Sequence, residues 1–191
     1  MALTQLREWL LAPYFENSGE NGCKKSSHAS HLSNVTCPLH RRMLVISGND
    51  DFCEAAIRSV QAFVDEVSSI SVVNFAGDTL KGKNRKQVLG SECDIATLDC
   101  RDSFKPGDVM AVAGIVKRSG CLILICPALS EWVNNISVSF LSEGFTLKQS
   151  RYLERFIKHL RNNDYVAFHT EEKTTLPDTA MYRISEGLTS N

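Results

Sequence analysis

Three aspartates stand where the ends of two strands would bring them together. Asp50 and Asp51 follow an apolar segment at residues 43–47, and Asp99 follows another at residues 94–98. In a doubly wound parallel sheet, ligands bind at the carboxyl ends of the strands, and carboxylate oxygens are the ligands that Mg²⁺ prefers. One interpretation is therefore a receiver-like regulatory domain that uses Asp99 with Asp50 or Asp51. The favoured alternative is that these residues form turns and cap helices.

A cluster of histidines and cysteines lies in a polar segment near the N-terminus. A zinc site built from Cys and His requires tight ligand pairs. Two pairs in this cluster are closely spaced, but the first cysteine has no partner cysteine beside it. The zinc signal is weak, so we predict no metal site and interpret the segment as a polar linker. The weak candidate ligands are Cys23, His28, His31, Cys37 and His40.

Two groups of basic residues have the charge needed to contact phosphates. One crowds a loop predicted after the second strand, and the other lies on the last predicted helix, opposite its apolar face. Cationic side chains bind phosphates without reading a base sequence, so both groups are candidate RNA contacts. The alternative, which residue type alone favours, is a solvated loop and a solvated helix face. The residues are Lys81, Lys83, Arg85 and Lys86 in the loop, and Lys148, Arg151, Arg155 and Lys158 in the helix.

Motifs of self-contained catalysis are missing from the sequence. It contains neither G-x-G-x-x-G nor G-x-x-x-x-G-K-[ST], so classical dinucleotide or P-loop nucleotide binding is not expected. No local signature of a Ser-His-Asp or Cys-His nucleophile is recognisable. A weak enzyme or small-ligand binder at the carboxyl edge, near Asn49, Asn74 and Asp99, stays open as a further alternative.

Glu131 and Trp132 follow the apolar segment at residues 121–126, which places them near the same edge of the sheet. A tryptophan at this position either plugs the core or forms a docking surface for a neighbouring domain. Packing is the favoured role, and the pair is kept as a candidate docking site.

These residues require a scaffold of alternating strands and helices. Short apolar segments separated by amphipathic ones are typical of a parallel sheet covered by helices on both faces. We predict a three-layer α/β fold with a mainly parallel five-stranded sheet in a Rossmann-like or flavodoxin-like order. Asp51 and Glu54 have the spacing of a capping box, and a helix that follows Pro106 is expected to stop near Gly120. The predicted strands cover residues 43–47, 70–75, 94–98, 121–126 and 165–168.

The overall composition is that of an ordinary globular protein. The 191 residues are 43% hydrophobic and carry a net charge of −1, so any RNA contact must come from a local patch. No stretch approaches a membrane span. Of the seven cysteines, those in or beside predicted elements are expected to be small buried hydrophobes in the reducing cytoplasm, namely Cys53, Cys100, Cys121 and Cys126. We divide the chain into an N-terminal helix and polar linker (1–40), a single α/β domain (41–170) and a C-terminal tail (171–191).

The order of these segments resembles that of a known family. From Arg41 to about Pro177, the chain is similar to the N-terminal domain of the bacterial tRNA(Met) cytidine acetyltransferase. The likeness lies in the order and spacing of short stretches, none of which is diagnostic alone. These stretches are residues 42–48, residues 88–90 with Glu92, residues 98–99 with Arg101 and Phe104, residues 119–124, Pro127 with Glu131 and Trp132, and residues 156–160.

The resemblance implies an accessory domain of an RNA-modifying enzyme. The family enzyme acetylates N4 of the wobble cytidine of elongator tRNA-Met with acetyl-CoA, and an ATP-driven helicase-like module helps to present the base. Those activities belong to other domains, and no position here matches the family's catalytic residues. We therefore expect a non-catalytic module without a cofactor of its own. It would support tRNA positioning or dock to helicase-like and acetyltransferase domains or proteins.

Overall fold

The computed structural model describes residues 2–16, 40–76, 90–134 and 151–177. The helices in these ranges are α1 (Ala2–Glu16), α2 (Asp50–Asp65), α3 (Pro106–Ile115), α4 (Leu129–Trp132) and α5 (Arg151–Arg161). The strands are β1 (Arg42–Ser47), β2 (Val72–Ala76), β3 (Cys93–Asp99), β4 (Val116–Cys126), β5 (Val166–Thr170) and β6 (Thr174–Thr175). None of the described helices is long and apolar enough to cross a membrane.

The predicted α/β class is confirmed. The strands form one sheet in the order β2-β3-β4-β1-β5-β6, in which β1 to β5 run parallel and β6 pairs antiparallel with β5. The sheet therefore has six strands where the sequence predicted five. The additional strand is two residues long and lies in the stretch expected to be a tail. A strand of that length has no periodicity from which it could be predicted.

Strand β1 lies inside the sheet, between β4 and β5. This order differs from both the Rossmann order, 3-2-1-4-5-6, and the flavodoxin order, 2-1-3-4-5. The connection from β1 to β2 runs towards one edge of the sheet. The connection from β4 to β5 passes β1 and runs towards the other edge. Because crossovers between parallel strands are right-handed, connections that leave in opposite directions cover opposite faces. A crevice is therefore expected where β1 and β4 end side by side.

Two hydrophobic clusters cover the two faces of the sheet. On one face, α1 and α2 pack against alternate residues of the central strands, including Leu44 and Ile123. On the other face, α3, α4 and α5 cover the intervening residues, including Val45 and Leu124. Successive side chains of a strand point to opposite faces, so a sheet buried on both sides needs nearly continuous apolar strands. Strands β1 and β4 meet that requirement.

The cysteines of the described ranges behave as the composition predicted. Cys53, Cys93, Cys100, Cys121 and Cys126 are buried and form no disulfides. Burial raises the pKa of the Cys121 thiol to about 11. A thiol of this kind stays neutral and packs as a small hydrophobic side chain.

Arg42, the first residue of β1, fastens α1 to the sheet. It is 2% exposed, and its Nη1 donates to the carbonyl of Trp9 while its Nη2 donates to that of Leu10 at 3.0 Å. Its Nε and Nη2 also donate to the carbonyl of Ser119, at 3.3 and 3.2 Å. One guanidinium group therefore connects α1, β1 and the first part of β4.

A proline inside α1 explains why the helix needs this arginine. Pro13 has no N–H, so the carbonyl of Trp9, four residues earlier, lacks its helical donor. Arg42 supplies a donor to that carbonyl. The guanidinium carbon also lies 4.8 Å from the centre of the Trp9 ring, which is a cation–π distance. A buried charge costs free energy unless hydrogen bonds replace its hydration, and four hydrogen bonds to backbone carbonyls do so here.

Strand β4 begins with an irregular stretch where the sequence predicted the end of a helix. The register between β3 and β4 shifts between residues 93 and 95. Ser119 has a positive φ of 65°, and a Cβ on Gly120 would clash with the carbonyl oxygen of Asp94. The helix predicted to stop near Gly120 ends at Ile115, because the chain from Val116 onward pairs with β3.

Replacement of Arg42 by methionine is expected to lower the free energy of unfolding by about 2 to 4 kcal/mol, because buried carbonyls lose donors that water cannot replace. Urea denaturation followed by circular dichroism measures the loss. The matched control is Arg58→Met on the exposed side of α2, which should change stability by less than about 0.5 kcal/mol. A loss below about 1 kcal/mol for Arg42→Met would contradict this account of α1.

Candidate functional site

A cavity opens at the carboxyl edge of the sheet, at the crevice between β1 and β4. Its volume is about 790 Å³, and the loops that follow β1, β3, β4 and β5 line it. Doubly wound sheets bind ligands at this position because oppositely directed connections separate there. Asn49, one of the predicted ligand contacts, lines the cavity, whereas Asn74 lies on the edge strand β2.

Arg101, in the loop after β3, organises one side of the cavity. Its Nε and Nη2 donate to both carboxylate oxygens of Asp99 at distances from 2.8 to 3.2 Å. Its Nη1 donates to Asp50 Oδ1 at 3.0 Å. The hydrogen bonds to Asp99, together with the charges of both aspartates, raise the pKa of Arg101 above its ordinary range. The guanidinium thereby joins the loop after β3 to the first turn of α2.

The aspartates considered as a magnesium site are only partly brought together. Asp50 and Asp99 both form ion pairs with Arg101, so the cation between the two carboxylates is a guanidinium group. Asp51 is exposed in the first turn of α2. In the ranges that the structure describes, no group of three potential metal ligands occurs. The arrangement is an ion-pair network and gives the receiver-like alternative no support.

Asn49, not Asp51, caps helix α2. Its Oδ1 accepts a hydrogen bond from the N–H of Phe52 at 2.9 Å, so the capping box predicted for Asp51 and Glu54 is wrong. The asparagine already satisfies one of the free N–H groups of the first turn, and the helix begins directly after it. The backbone N–H of Asn49 donates to Glu171 Oε1 at 2.6 Å. The cap is therefore tied to the loop that follows β5.

Gly48 permits this close approach of two loops. A Cβ at this position would lie 2.7 Å from Glu171 Oε1 and 2.7 Å from Cδ1 of Phe52. A side chain at this position would displace Glu171 and Phe52, so glycine preserves the contact between the two loops.

His169 holds the same loop from within β5. Its Nδ1 lies 2.8 Å from Oγ1 of Thr174 in β6, and its ring centre is 5.0 Å from that of Phe52. Burial lowers the pKa of His169, because an imidazolium ion is poorly solvated there. The turn between β5 and β6 then presents Glu171 and Glu172 to the cavity.

Carboxylates outnumber cations along the cavity lining. Five carboxylate side chains line it, against two guanidinium groups, of which Arg101 is already paired with aspartates. Phosphates are bound by cationic donors, so this lining is poorly suited to an RNA backbone. The carboxylates belong to Asp50, Asp102, Glu131, Glu171 and Glu172, and the second guanidinium to Arg161.

The exposed face of α5 carries the cations that the cavity lacks. Arg151, Arg155 and Lys158 are exposed, and their spacing of four and three residues places them on one side of the helix. Leu153 and Ile157 are buried on the opposite side. The amphipathic face predicted for this helix is therefore confirmed, while contact with RNA stays a prediction. We call these three cations the α5 basic stripe.

Several predicted site residues lie outside the described residues. Of the predicted metal ligands, His40 is described, and it is exposed with its ring centre 5.1 Å from that of Tyr165. Those outside the described ranges are Lys81, Lys83, Arg85, Lys86 and Lys148 among the cations, and Cys23, His28, His31 and Cys37 among the metal ligands.

Trp132 is a core residue. It is 1% exposed, and its ring meets that of Phe104 edge-on at a centroid distance of 5.0 Å. A buried side chain cannot contact a neighbouring domain, so the docking role considered for Trp132 is wrong and the packing interpretation holds. Glu131 is exposed and lines the cavity, and its docking role stays a prediction.

Sequence reasoning missed the chemical roles of Arg101 and Glu171. Arg101 was named from the sequence only among the residues of the family resemblance. Its position two residues after the strand-ending Asp99 could have predicted the contact between them. An arginine so placed can fold back on the carboxylate, as it does here. Glu171 contacts Asn49 across 122 residues of chain, and no local pattern predicts such a partner.

Most of the chain matches a single protein family. A family model for the N-terminal part of the tRNA(Met) cytidine acetyltransferase TmcA matches residues 26–170. The tRNA(Met) cytidine acetyltransferase TmcA of Haloferax volcanii is 25% identical over 153 residues, which cover 75% of this chain. The proteins of the same name from Nitrosococcus halophilus and Thermofilum pendens are 23% and 29% identical, over 83% and 68% of this chain.

These relatives are much longer than the chain. The matched regions cover 20% of the Haloferax volcanii protein, 23% of the Nitrosococcus halophilus protein and 20% of the Thermofilum pendens protein. The chain thus spans about a fifth of the length of the curated relatives it matches.

Replacement of Arg101 by methionine is expected to lower the free energy of unfolding by about 1 to 2 kcal/mol, because Asp99 keeps its charge and loses a bidentate partner. The matched control is Asp50→Asn, which removes the more exposed arm of the network and should cost at most about 0.5 kcal/mol. Urea denaturation at neutral pH measures both. Equal losses in the two variants would contradict the central role of the Arg101–Asp99 pair.

The free energy of unfolding is expected to fall as the pH is lowered through about 6.5, the pKa of an unfolded histidine. Burial lowers the pKa of folded His169, so the unfolded chain binds the proton more readily in this range. The stabilisation is complete above the unfolded pKa and is lost as the pH falls towards the folded one. Denaturation at a series of pH values measures the slope. His169→Gln should flatten this slope, and an unchanged slope in that variant would refute the assignment to His169.

Proposed function

Because this chain belongs to the family of N-terminal domains of the tRNA(Met) cytidine acetyltransferase TmcA, we propose that it is a non-catalytic accessory module in tRNA acetylation. On this proposal the chain helps to position tRNA by contacting its phosphates through the α5 basic stripe. The acetyl transfer, with its acetyl-CoA and ATP, belongs to acetyltransferase and helicase-like domains beside it or on a partner protein.

The α5 basic stripe is the observation that carries this proposal. Its three cations span about 10 Å along the helix surface, since each residue advances the helix by about 1.5 Å. His159 and Arg161 add basic groups in the last turn, and Glu154 is the only acidic residue of the helix. Glu154 lies beside Arg151 and Lys158 on the helix surface, but the cations outnumber it. The excess of positive charge attracts a phosphate backbone without reading its sequence.

Docking to the helicase-like and acetyltransferase domains is the second part of the proposal. The chain matches only 20 to 23% of each relative's length, which supports a module that works beside further domains. The carboxylates of the cavity, including Glu131, suit a basic partner surface. RNA on the α5 basic stripe and a protein partner at the carboxyl edge are compatible because none of the three stripe cations lines the cavity.

We place this role in the cytoplasm. Support comes from the cysteines of the described ranges, which are buried and unpaired. Reduced cysteines of this kind are usual where glutathione and thioredoxin keep thiols reduced.

Binding of tRNA by the chain is expected to weaken with salt, with a logarithmic slope of about 0.7 to 0.9 per phosphate contact. The triple variant Arg151→Ala/Arg155→Ala/Lys158→Ala should bind more weakly at low salt and lose about two to three such contacts from the slope. Fluorescence anisotropy of labelled tRNA across a salt series measures both quantities.

The matched control is Arg58→Ala/Arg118→Ala/Lys173→Ala, which removes the same charge from exposed positions on other elements. An equal loss in both triple variants would contradict the assignment to α5, because net charge alone would then explain it. Absence of tRNA binding by the unmodified chain at low salt would refute the RNA contact. Copurification with helicase-like and acetyltransferase domains would then test the docking part alone.

A further inference from the structure

Tyr152 places an exposed aromatic ring beside the α5 basic stripe. Among the described residues it is one of three large hydrophobic side chains that stay exposed, at 46%. It precedes Arg155 by three residues, and side chains with that spacing are neighbours on a helix surface. The surface therefore offers a flat apolar group and positive charge together.

A series of aromatic contacts holds the Tyr152 ring in place from the core. The ring stacks on that of Phe156, with an interplanar angle of 13° and a centroid distance of 6.1 Å, and lies 6.0 Å from that of Phe104. Phe104 in turn meets the buried Trp132 edge-on at 5.0 Å. Because its orientation is fixed before a ligand arrives, the ring loses little conformational entropy on binding.

We propose that Tyr152 is a stacking platform for an unpaired nucleobase, so that the α5 surface prefers looped or single-stranded RNA to duplex RNA. This inference rests on the proposed RNA contact and specifies the kind of RNA it takes. In a duplex each base is stacked on its neighbours, whereas an unpaired base can lie against an aromatic side chain. Stacking tolerates every base, because every base has a flat π-face.

Charge and shape together favour RNA over an acidic peptide at this surface. The stripe attracts any polyanion, but the ring is best covered by a flat group. An unpaired nucleotide supplies a phosphate and a flat base within one residue. An acidic peptide supplies the charge and leaves the ring without a matching partner.

The test compares two RNAs with equal numbers of phosphates, using the full 191-residue chain. One is a hairpin with 2-aminopurine in an unpaired loop, and the other is a blunt duplex. The unmodified chain should bind the hairpin more tightly and change the 2-aminopurine fluorescence, which reports stacking. Tyr152→Ala should weaken hairpin binding by roughly 5- to 150-fold, the equivalent of about 1 to 3 kcal/mol per stacked base, and leave duplex binding unchanged.

Two further variants separate stacking from general effects on the fold. Tyr152→Phe keeps the ring and should keep the preference for the hairpin, whereas Tyr152→Leu fills similar space without a flat ring and should lose it. Circular dichroism verifies that each variant is folded.

An unchanged ratio of hairpin to duplex affinity in Tyr152→Ala, with salt-dependent binding intact, would overturn the stacking platform and leave the phosphate contact standing. Failure of the unmodified chain to bind either RNA would overturn both proposals. Loss of the preference in Tyr152→Ala and Tyr152→Leu, with its retention in Tyr152→Phe, is the expected result.

Discussion

The buried guanidinium of Arg42 is the interaction on which the arrangement of the layers depends. A charge can be buried only where hydrogen-bond acceptors replace the water it loses, and here backbone carbonyls of α1 and β4 do so. Pro13 makes one of these acceptors available by removing a helical N–H. The position of α1, the start of the inner strand β1 and the irregular start of β4 are therefore determined together. As a result α1 shares a hydrophobic cluster with α2 and the sheet.

A second arginine, Arg101, organises the opposite end of the sheet with a different kind of partner. Its acceptors are the carboxylates of Asp99 and Asp50, which would repel each other without a cation between them. Negative charge at the start of α2 is also favourable, because the N-terminal end of a helix carries partial positive charge. Ion pairing and helix polarity therefore explain why Asp50 and Asp99 lie together at this edge. Asn49 and Glu171 complete the edge by tying the loop after β1 to the loop after β5.

Charge is divided between two surfaces of this small module. The chain is nearly neutral as a whole, yet the cavity lining is rich in carboxylates and the exposed face of α5 is rich in cations. A polyanion is attracted to one surface and repelled by the other, which gives it an orientation as well as an affinity. The aromatic packing that includes Trp132 and Phe104 supports the core and also holds the ring of Tyr152. On our proposals, the contacts that stabilise the fold thus also shape the surface offered to RNA.

The sequence by itself determined the class of fold, the central strands and the exposed cations of α5, because burial and periodicity are local properties of a chain. It did not determine the strand order, since periodicity tells which faces of a strand are buried and not which strand lies beside it. The end of α3 at Ile115, the acceptors of Arg42 and the hydrogen bond from the backbone of Asn49 to Glu171 were also decided by tertiary structure. Each depends on atoms distant in sequence, such as Glu171 beside Asn49, and only the folded chain brings those atoms within hydrogen-bonding distance.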